Sequence, residues 1–362
     1  MGYHAAAAIM GSGACTSLGG AERAAAAMRA AINRGHEMPD WPYNDAATNT
    51  EALLVGHPAS GVTDGFEGLG RLVRLGAAAL MDLRPLLEER GLSSRRSGLF
   101  VALAPRDAAA ERGLDDDGEE PTSAFASWAE RFAQRCCEQS GIPAAPEQRS
   151  YFAGRYGFAR ALAAAIDALR GQRLDHCLVG ACDSELDPDR IDAGLSSGRI
   201  KTADNPAGYA PGEAAVFLLI ERATASPRGR PPESLLLPPS FAERADAAVG
   251  VALARALTAA LGDEGGEEAR TGTAYVDLNG EEARAAEWGH ALARLHGRSA
   301  LHAWRHVFPA ASFGETGAAA GALATCVAGR GLSRGYAGRQ ALVVLSDREG
   351  CAAVRMLVPE TR

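Results

Sequence analysis

Strand-like and helical segments alternate along the whole chain, and this alternation constrains the fold more than any other feature of the sequence. Short apolar runs at 5–10, 98–103 and 175–181 are typical of buried strands, and segments with apolar residues at helical spacing lie between them. The same rhythm returns after a stretch rich in Pro, Gly and Ser at 223–240, which resembles a linker. The sequence therefore predicts a layered α/β architecture with a mainly parallel central sheet.

Individual elements follow from apolar spacing and from the glycines that end helices. Before the linker, we predict helices at 21–34, 70–90, 123–140 and 155–170, and strands at 149–153 and 212–221. After it, we predict helices at 244–261, 282–296 and 317–329, and strands at 273–278, 299–303, 341–345 and 353–358. Residues 36–66 are expected to be irregular.

Composition excludes several classes of protein. The chain has 362 residues, 47% hydrophobic and 23% charged, which is an ordinary globular balance and argues against disorder. This length fits two domains or one large domain built from two similar halves. A net charge of −8 argues against nucleic acid as a partner. No apolar run is long enough to span a membrane, so a membrane is not expected as a partner.

The cysteines predict a reducing compartment. The seven thiols are odd in number and include no C-x-x-C pair, which is typical of buried, reduced cysteines in a long chain. Residues 5–19 lack a basic stretch ahead of them and are interrupted by glycines, so we expect no signal peptide. A cytoplasmic location follows as a prediction.

Four blocks of sequence together resemble the β-ketoacyl synthase branch of the thiolase fold. Residues 9–19 are similar to that family's opening I-T-G-x-G-x-x-S-P-L-G, and 208–215 to its G-F-V-x-G-E-G-A. Residues 275–280 resemble the strand that delivers its first active-site histidine, and 314–321 resemble G-H-T-x-G-A-A-G. The resemblance covers nearly the whole chain.

This resemblance implies a five-layer αβαβα fold built from two duplicated halves. We assign the N-terminal half to residues 1–221 and the C-terminal half to 222–362. The family fold is usually dimeric and pairs the strand just before its nucleophile, which would be residues 148–153 here.

The resemblance also implies which positions should carry the chemistry. The family uses a cysteine thiolate at the start of a buried helix, two histidines and a lysine. Aligning the glycine that ends the family's helix with Gly171 puts Gly154 at the nucleophile position. The histidine positions then hold Asn279 and Glu315, and the lysine position holds Ala310.

None of these residues can perform the chemistry of the family residue at the same position. A glycine cannot carry an acyl group, and asparagine cannot cycle a proton near neutral pH. A carboxylate at residue 315 would repel a developing enolate. The glycine-rich gating loop of the family is replaced by 346–352, which adds three charges. We therefore expect no catalytic residues, no condensation activity and no cofactor.

Other groups are weaker candidates. Cys182 and Cys351 are the thiols most able to act as a displaced nucleophile, although both are expected to be buried core residues. His302 and His306 have the spacing of a metal pair but lack an evident third ligand, so no metal is expected. A salt bridge between Glu315 and Arg348 across the former pocket is a further hypothesis.

Three functions stay open on the sequence. The first is a non-catalytic binding or scaffold subunit that forms a homodimer, or a heterodimer with an active ketosynthase, as chain-length-factor subunits do. The second is an adaptor or chaperone for a secreted type VI effector. The third is an acyltransferase that uses a displaced nucleophile.

Overall fold

The computed structural model describes residues 5–90, 96–104, 121–223, 231–244, 248–262, 271–297 and 299–359. Its strands are β1 (Ala7–Thr16), β2 (His36–Asp45), β3 (Thr50–Gly56), β4 (Ser97–Leu103), β5 (Glu147–Tyr151), β6 (His176–Ser184), β7 (Glu213–Arg222), β8 (Ser234–Leu236), β9 (Ser240–Glu243), β10 (Thr273–Val276), β11 (Arg305–Val307), β12 (Gln340–Ser346) and β13 (Gly350–Leu357). Its helices are α1 (Ala21–Arg29), α2 (Gly68–Glu89), α3 (Pro121–Ser140), α4 (Gly154–Arg170), α5 (Pro188–Ser196), α6 (Val251–Leu261), α7 (Glu282–Leu295), α8 (Ala310–Phe313) and α9 (Ala320–Ser333).

Eleven strands form one continuous sheet in the order β11-β10-β12-β13-β8-β1-β7-β6-β4-β5, with β9 also on β13, and β2 and β3 form a separate two-stranded sheet. Parallel pairs lie toward its two ends, where β10 joins β11 and β12, and β4 joins β5 and β6. The middle is antiparallel, since β7 pairs with both β1 and β6. The prediction of a mainly parallel sheet is therefore wrong, because the strands that join the two parallel groups run in the opposite direction.

Helices cover the sheet in layers. Helices α2 and α3 pack together outside the β1 and β7 side, and α6 and α7 pack together outside the β13 side. Helices α4 and α9 lie between the two groups of strands and contact both. Three hydrophobic clusters fill the gaps between these layers. The result is the five-layer α/β fold that the family resemblance implies, and the boundary between its halves at residue 221 stays a prediction.

Helix α4 is central because its sequence is apolar on nearly every side. Its alanines, Leu162, Ile166 and Leu169 are buried in the cluster between the two groups of strands. A helix with so wide an apolar surface is stable only when other elements enclose it. Its N-terminus consequently lies in the interior, beside the loop between β12 and β13.

Three local predictions are wrong. Residues 36–56 are not irregular but form a hairpin of β2 and β3, which packs through Met38 and Leu54 on a small separate cluster. The strand predicted at 299–303 is a turn of 3₁₀ helix at Leu301–Ala303, followed by β11. The linker predicted at 223–240 is wrong for its described second part, because β8 there pairs with both β1 and β13; residues 224–230 lie outside the described residues. No helix in the described ranges is long and apolar enough to cross a bilayer.

Candidate functional site

Helix α4 begins at Gly154, the residue that the resemblance puts at the nucleophile position. Gly154 has a φ of +53°, in the left-handed region where other residues are strained. A Cβ atom on Gly154 would lie 3.0 Å from Asp347 Cγ, and still closer to Asp347 Oδ2. The same Oδ2 atom accepts the backbone N–H of Arg155 at 2.8 Å. The Asp347 carboxylate therefore fills the space that a side chain at position 154 would need.

The next residue of the helix, Arg155, forms a buried ion pair with Glu315. The two side chains are 7% and 3% exposed, and Arg155 Nη2 contacts Glu315 Oε2. The other oxygen of the carboxylate, Glu315 Oε1, accepts the Gly317 N–H at 2.6 Å. Since an unpaired buried charge is costly, each member of the pair stabilises the other.

Asn279 connects this ion pair to a second acid. Asn279 Nδ2 donates to Glu315 Oε2 at 2.6 Å and to Glu281 Oε2 at 2.8 Å. In return, the Glu281 N–H donates to Asn279 Oδ1 at 3.1 Å. The side-chain amide of Asn279 therefore bridges the carboxylates of Glu281 and Glu315.

Arg284 and Asp277 extend the network toward the loop that carries Asp347. Arg284 Nη1 donates to Asp277 Oδ2 at 3.2 Å and to the Ser346 carbonyl oxygen at 3.0 Å. Asp277 Oδ2 also accepts the Ser346 N–H at 2.8 Å. Together, these residues form what we call the charge cluster, which consists of Arg155, Asp277, Asn279, Glu281, Arg284, Glu315 and Asp347.

Charge pairing decides the protonation of Arg155 and Glu315. Burial alone would raise the pKa of Glu315, but Arg155 and Arg284, with hydrogen bonds from Asn279 and Gly317, bring it below its usual value. Burial alone would lower the pKa of Arg155, but Glu315 and the nearby carboxylates raise it. The ion pair is therefore fully charged at neutral pH and has no proton to exchange.

The cavity that borders the charge cluster is small. The cavity beside Arg155 and Glu315 has a volume of about 20 Å³, and Ala310 at the start of α8 lies on its wall. Such a volume holds about one water molecule. An acyl chain does not fit there without a rearrangement of the surrounding side chains.

The structure thus brings Asn279, Glu315 and Ala310 to one place, next to the start of α4. Their correspondence to the family's catalytic positions stays a prediction. The salt bridge expected between Glu315 and Arg348 is wrong, because Glu315 pairs with Arg155 instead. No role for Arg155 was predicted from the sequence. A signal was available, since an arginine at the start of a buried helix requires a carboxylate partner elsewhere in the chain.

The thiols considered as displaced nucleophiles are not members of the charge cluster. All seven cysteines are buried. Burial raises the pKa of Cys182 well above its usual value and that of Cys351 to about 12. Cys182 Sγ lies 3.4 Å from the Leu72 carbonyl oxygen, and Cys351 Sγ lies 3.8 Å from Glu287 Oε1. Thiols that stay protonated in the core are poor nucleophiles.

His302 and His306, which have the spacing of a metal pair in the sequence, each contact aromatic or backbone groups. His306 Nε2 lies 3.0 Å from the Leu301 carbonyl oxygen, and its ring packs edge-on against Trp288. The ring of His302 lies 5.7 Å from that of His296. Across the described ranges, no group of three or more His, Cys, Asp or Glu side chains is arranged to hold a metal ion.

Restoring a thiol at position 154 is expected to destabilise the protein. Gly154→Cys should lower the free energy of unfolding by about 1–3 kcal/mol more than Gly198→Cys does. Both glycines have positive φ, but a Cβ at Gly198 would meet open space, whereas one at Gly154 meets Asp347. Urea denaturation of the two variants measures the difference. Equal losses would contradict the assignment of Asp347 as the obstacle.

Next to the charge cluster, Glu185 gives stability a pH dependence. Glu185 accepts hydrogen bonds from Arg190 Nη1 at 2.6 Å and from Tyr209 Oη at 3.3 Å. Burial raises the pKa of Glu185 from 4.5 to about 7, against the opposing charge of Arg190. Because the folded state binds this proton more tightly than the unfolded state, the folded protein should lose stability as the pH rises from 4.5 to about 7.

Glu185→Gln should remove this loss. We expect the stability of the variant relative to the native protein to increase by about 2 kcal/mol between pH 5 and pH 8. Glu281→Gln is the matched control. Burial would raise the pKa of Glu281, but hydrogen bonds from Arg199 and Asn279 lower it to about 2, so its effect should be constant over this range. The free energy of unfolding is measured by urea denaturation at each pH. If it changed with pH in the same way in the native protein and in Glu185→Gln, the prediction would be refuted.

Comparisons with known proteins show the fold alone. No family model and no curated protein sequence matches the chain. Among solved structures, a chain of AntDE:AntF, a type II PKS acyl-carrier protein in complex with its ketosynthase bound to the hexaketide, matches with a TM-score of 0.76 and 15% identity over 99% of this chain and 100% of its own. The ishigamide ketosynthase/chain length factor matches with a TM-score of 0.69 and 21% identity over 97% of this chain and 99% of its own.

A modular enzyme is similar as well. The oxazolomycin ketosynthase domain OzmH KS7 of Streptomyces albus matches with a TM-score of 0.73 and 16% identity over 99% of this chain and 75% of its own. All three likenesses extend over nearly the whole described chain and include both groups of strands. The protein therefore has the thiolase-like fold of the β-ketoacyl synthases.

Proposed function

We propose that this chain is a catalytically degenerate, β-ketoacyl synthase-like protein that acts as a non-enzymatic binding or scaffold subunit. The observation that carries the proposal is the charge cluster at the start of α4. In this fold, condensation requires a nucleophile there and open space for an acyl chain. Here the first helical residue is Gly154, and the adjacent space is occupied by Asp347 and the Arg155–Glu315 ion pair.

The helix start is also unsuited to holding a reacting oxyanion. Free backbone N–H groups at a helix N-terminus can stabilise a thiolate or an oxyanion. The Arg155 N–H already donates to Asp347, whose carboxylate supplies a fixed negative charge. A second anion at this point would meet repulsion in place of stabilisation.

An unpaired sheet edge supports a dimer. Strand β5 is the last strand of the sheet, and its only strand partner among the described residues is β4. An exposed strand edge presents free backbone groups that can pair with another chain. Two of the similar structures are a ketosynthase with a chain length factor and a ketosynthase in complex with an acyl-carrier protein, which is consistent with a protein partner.

The absence of acyl transfer is tested by intact-mass measurement after incubation with hexanoyl-CoA and, separately, with cerulenin. We expect no adduct on the native protein, because the thiols are buried and protonated. An active ketosynthase treated in parallel verifies the reagents. A stoichiometric adduct would overturn the proposal. If that adduct disappeared in Cys182→Ala or Cys351→Ala, it would establish the acyltransferase alternative with a displaced nucleophile.

The dimer is tested by sedimentation velocity. Ser150→Asp places a charge on β5. When the β5 edges of two copies pair, this charge loses its contact with water, so association should weaken at least tenfold. Ser127→Asp makes the same change on the exposed surface of α3 and should leave association unchanged. A native protein that stays monomeric at high concentration, or a dimer insensitive to Ser150→Asp, would contradict pairing through β5.

A further inference from the structure

A second and larger cavity lies on the other side of the β1 group of strands from α4. This cleft has a volume of about 480 Å³ and is bordered by the turn after β1, residues 34–36, residues 58–62 and helix α2. It shares no lining residue with the small cavity of the charge cluster. Its volume falls in the range of pockets that hold small organic molecules.

Two hydrogen-bond donors in the cleft lack partners. Ser17 is only 8% exposed, and its buried Oγ atom has no hydrogen-bond partner in the part of the chain that the structure describes. A buried hydroxyl without a partner is unusual and costly, and a ligand can satisfy it. At the rim, the exposed guanidinium of Arg34 makes no hydrogen bond or ion pair with any described residue. Both groups can donate to an oxygen acceptor, and Arg34 favours a negatively charged one.

One part of the wall, on the side of helix α2, is apolar. Met81 on α2 is 50% exposed, although it is a large hydrophobic side chain, and it lines the cleft with Val62, Ala78 and Cys15. An apolar ligand surface placed here would remove these side chains from water. The acid in the cleft, Asp82, is already engaged, because its Oδ2 accepts the N–H groups of Ala14 at 3.0 Å and Ala21 at 2.8 Å.

We propose that this cleft binds a small organic carboxylate with a short aliphatic body. The carboxylate takes hydrogen bonds from the donors that lack partners, Arg34 and Ser17. The aliphatic body lies on Met81, Ala78 and Val62. This site is distinct from the charge cluster and does not depend on the proposed function.

Hexanoate is a suitable probe, and hexanol is its uncharged counterpart. In titrations followed by NMR and calorimetry, hexanoate should bind saturably and at least tenfold more tightly than hexanol. Arg34→Gln removes a charge-assisted hydrogen bond, and Ser17→Ala removes a buried one. Each variant should therefore weaken hexanoate binding about tenfold. Arg131→Gln makes the same charge change on the exposed surface of α3 and should have no effect.

A blocking variant provides an independent readout. Ala78→Leu adds volume to the α2 wall of the cleft and should abolish binding while leaving the unfolding transition nearly unchanged, since Ala78 is only partly buried. Shifts confined to residues around Arg155, no saturable binding, or binding that survives both Arg34→Gln and Ala78→Leu would overturn the proposal. Equal affinity for hexanol would refute the role of the carboxylate.

Discussion

Replacing Arg155 with methionine is expected to lower the free energy of unfolding by about 3–5 kcal/mol. The variant keeps most of the aliphatic volume of the side chain but leaves the Glu315 carboxylate buried without its partner. Glu315 is 3% exposed and would keep only the hydrogen bonds from Asn279 and the Gly317 N–H. Its pKa should then rise, because the opposing charge that offsets burial is removed. Urea denaturation at pH 7 measures the loss.

The double variant Arg155→Met with Glu315→Gln separates the lost ion pair from lost packing. Once the carboxylate is neutral, no uncompensated charge remains, so the double variant should recover more than half of the stability lost in Arg155→Met. A second signature is pH: the deficit of the single variant should shrink at low pH as Glu315 takes up a proton. A loss below about 1 kcal/mol would show that Arg155 and Glu315 do not depend on each other as the structure indicates.

Removing the carboxylate of Glu213 should have an effect of the same size. This side chain is fully buried at the start of β7 and accepts hydrogen bonds from four groups. They are the Ala59 N–H at 2.8 Å, Thr63 Oγ1 at 2.6 Å, the Arg71 guanidinium through Nε at 2.6 Å and Nη2 at 3.2 Å, and Ser184 Oγ at 2.9 Å. Glu213→Ala would leave these donors and the Arg71 charge without an acceptor, at an expected cost of about 3–5 kcal/mol.

Glu221 provides the matched control on the same strand. Glu221 also pairs with an arginine, Arg90 at 2.9 Å, but its side chain is 23% exposed. Water can replace the lost carboxylate there, so Glu221→Ala should cost only about 1–2 kcal/mol. Comparable losses for Glu213→Ala and Glu221→Ala would contradict a specific role for Glu213. Because Glu213 holds the segment at 59–71 against the sheet, hydrogen exchange should also increase there first.

Much of the secondary structure follows from local patterns. The apolar surface of 155–170, ended by Gly171, predicted α4 within one residue, and the apolar run at 98–103 predicted β4 equally well. The hairpin at 36–56 was missed because β2 contains Pro39 and Pro42, residues that disfavour strands. The structure accommodates them at a break in the pairing register between Met38 and Pro42. Local composition does not reveal such a break.

Strand direction was beyond local inference for another reason. An apolar run such as that of β7 is compatible with parallel or antiparallel neighbours, because a strand can be buried on both of its faces in either arrangement. Only its pairing with β1 and β6 makes the middle of the sheet antiparallel. The direction is thus set by which segments meet in space.

The sequence by itself determined which side chains are available: no sulfur or imidazole at Gly154, Asn279 and Glu315, and enough apolar periodicity to build the layers. Only the tertiary structure decided what these residues do together. Arg155 meets Glu315, and Asp347 fills the space beside Gly154, across long stretches of intervening chain. The physical reason is that the protonation of a buried charge and its effect on stability depend on the groups within a few ångströms of it. The fold brings those groups together from distant parts of the sequence.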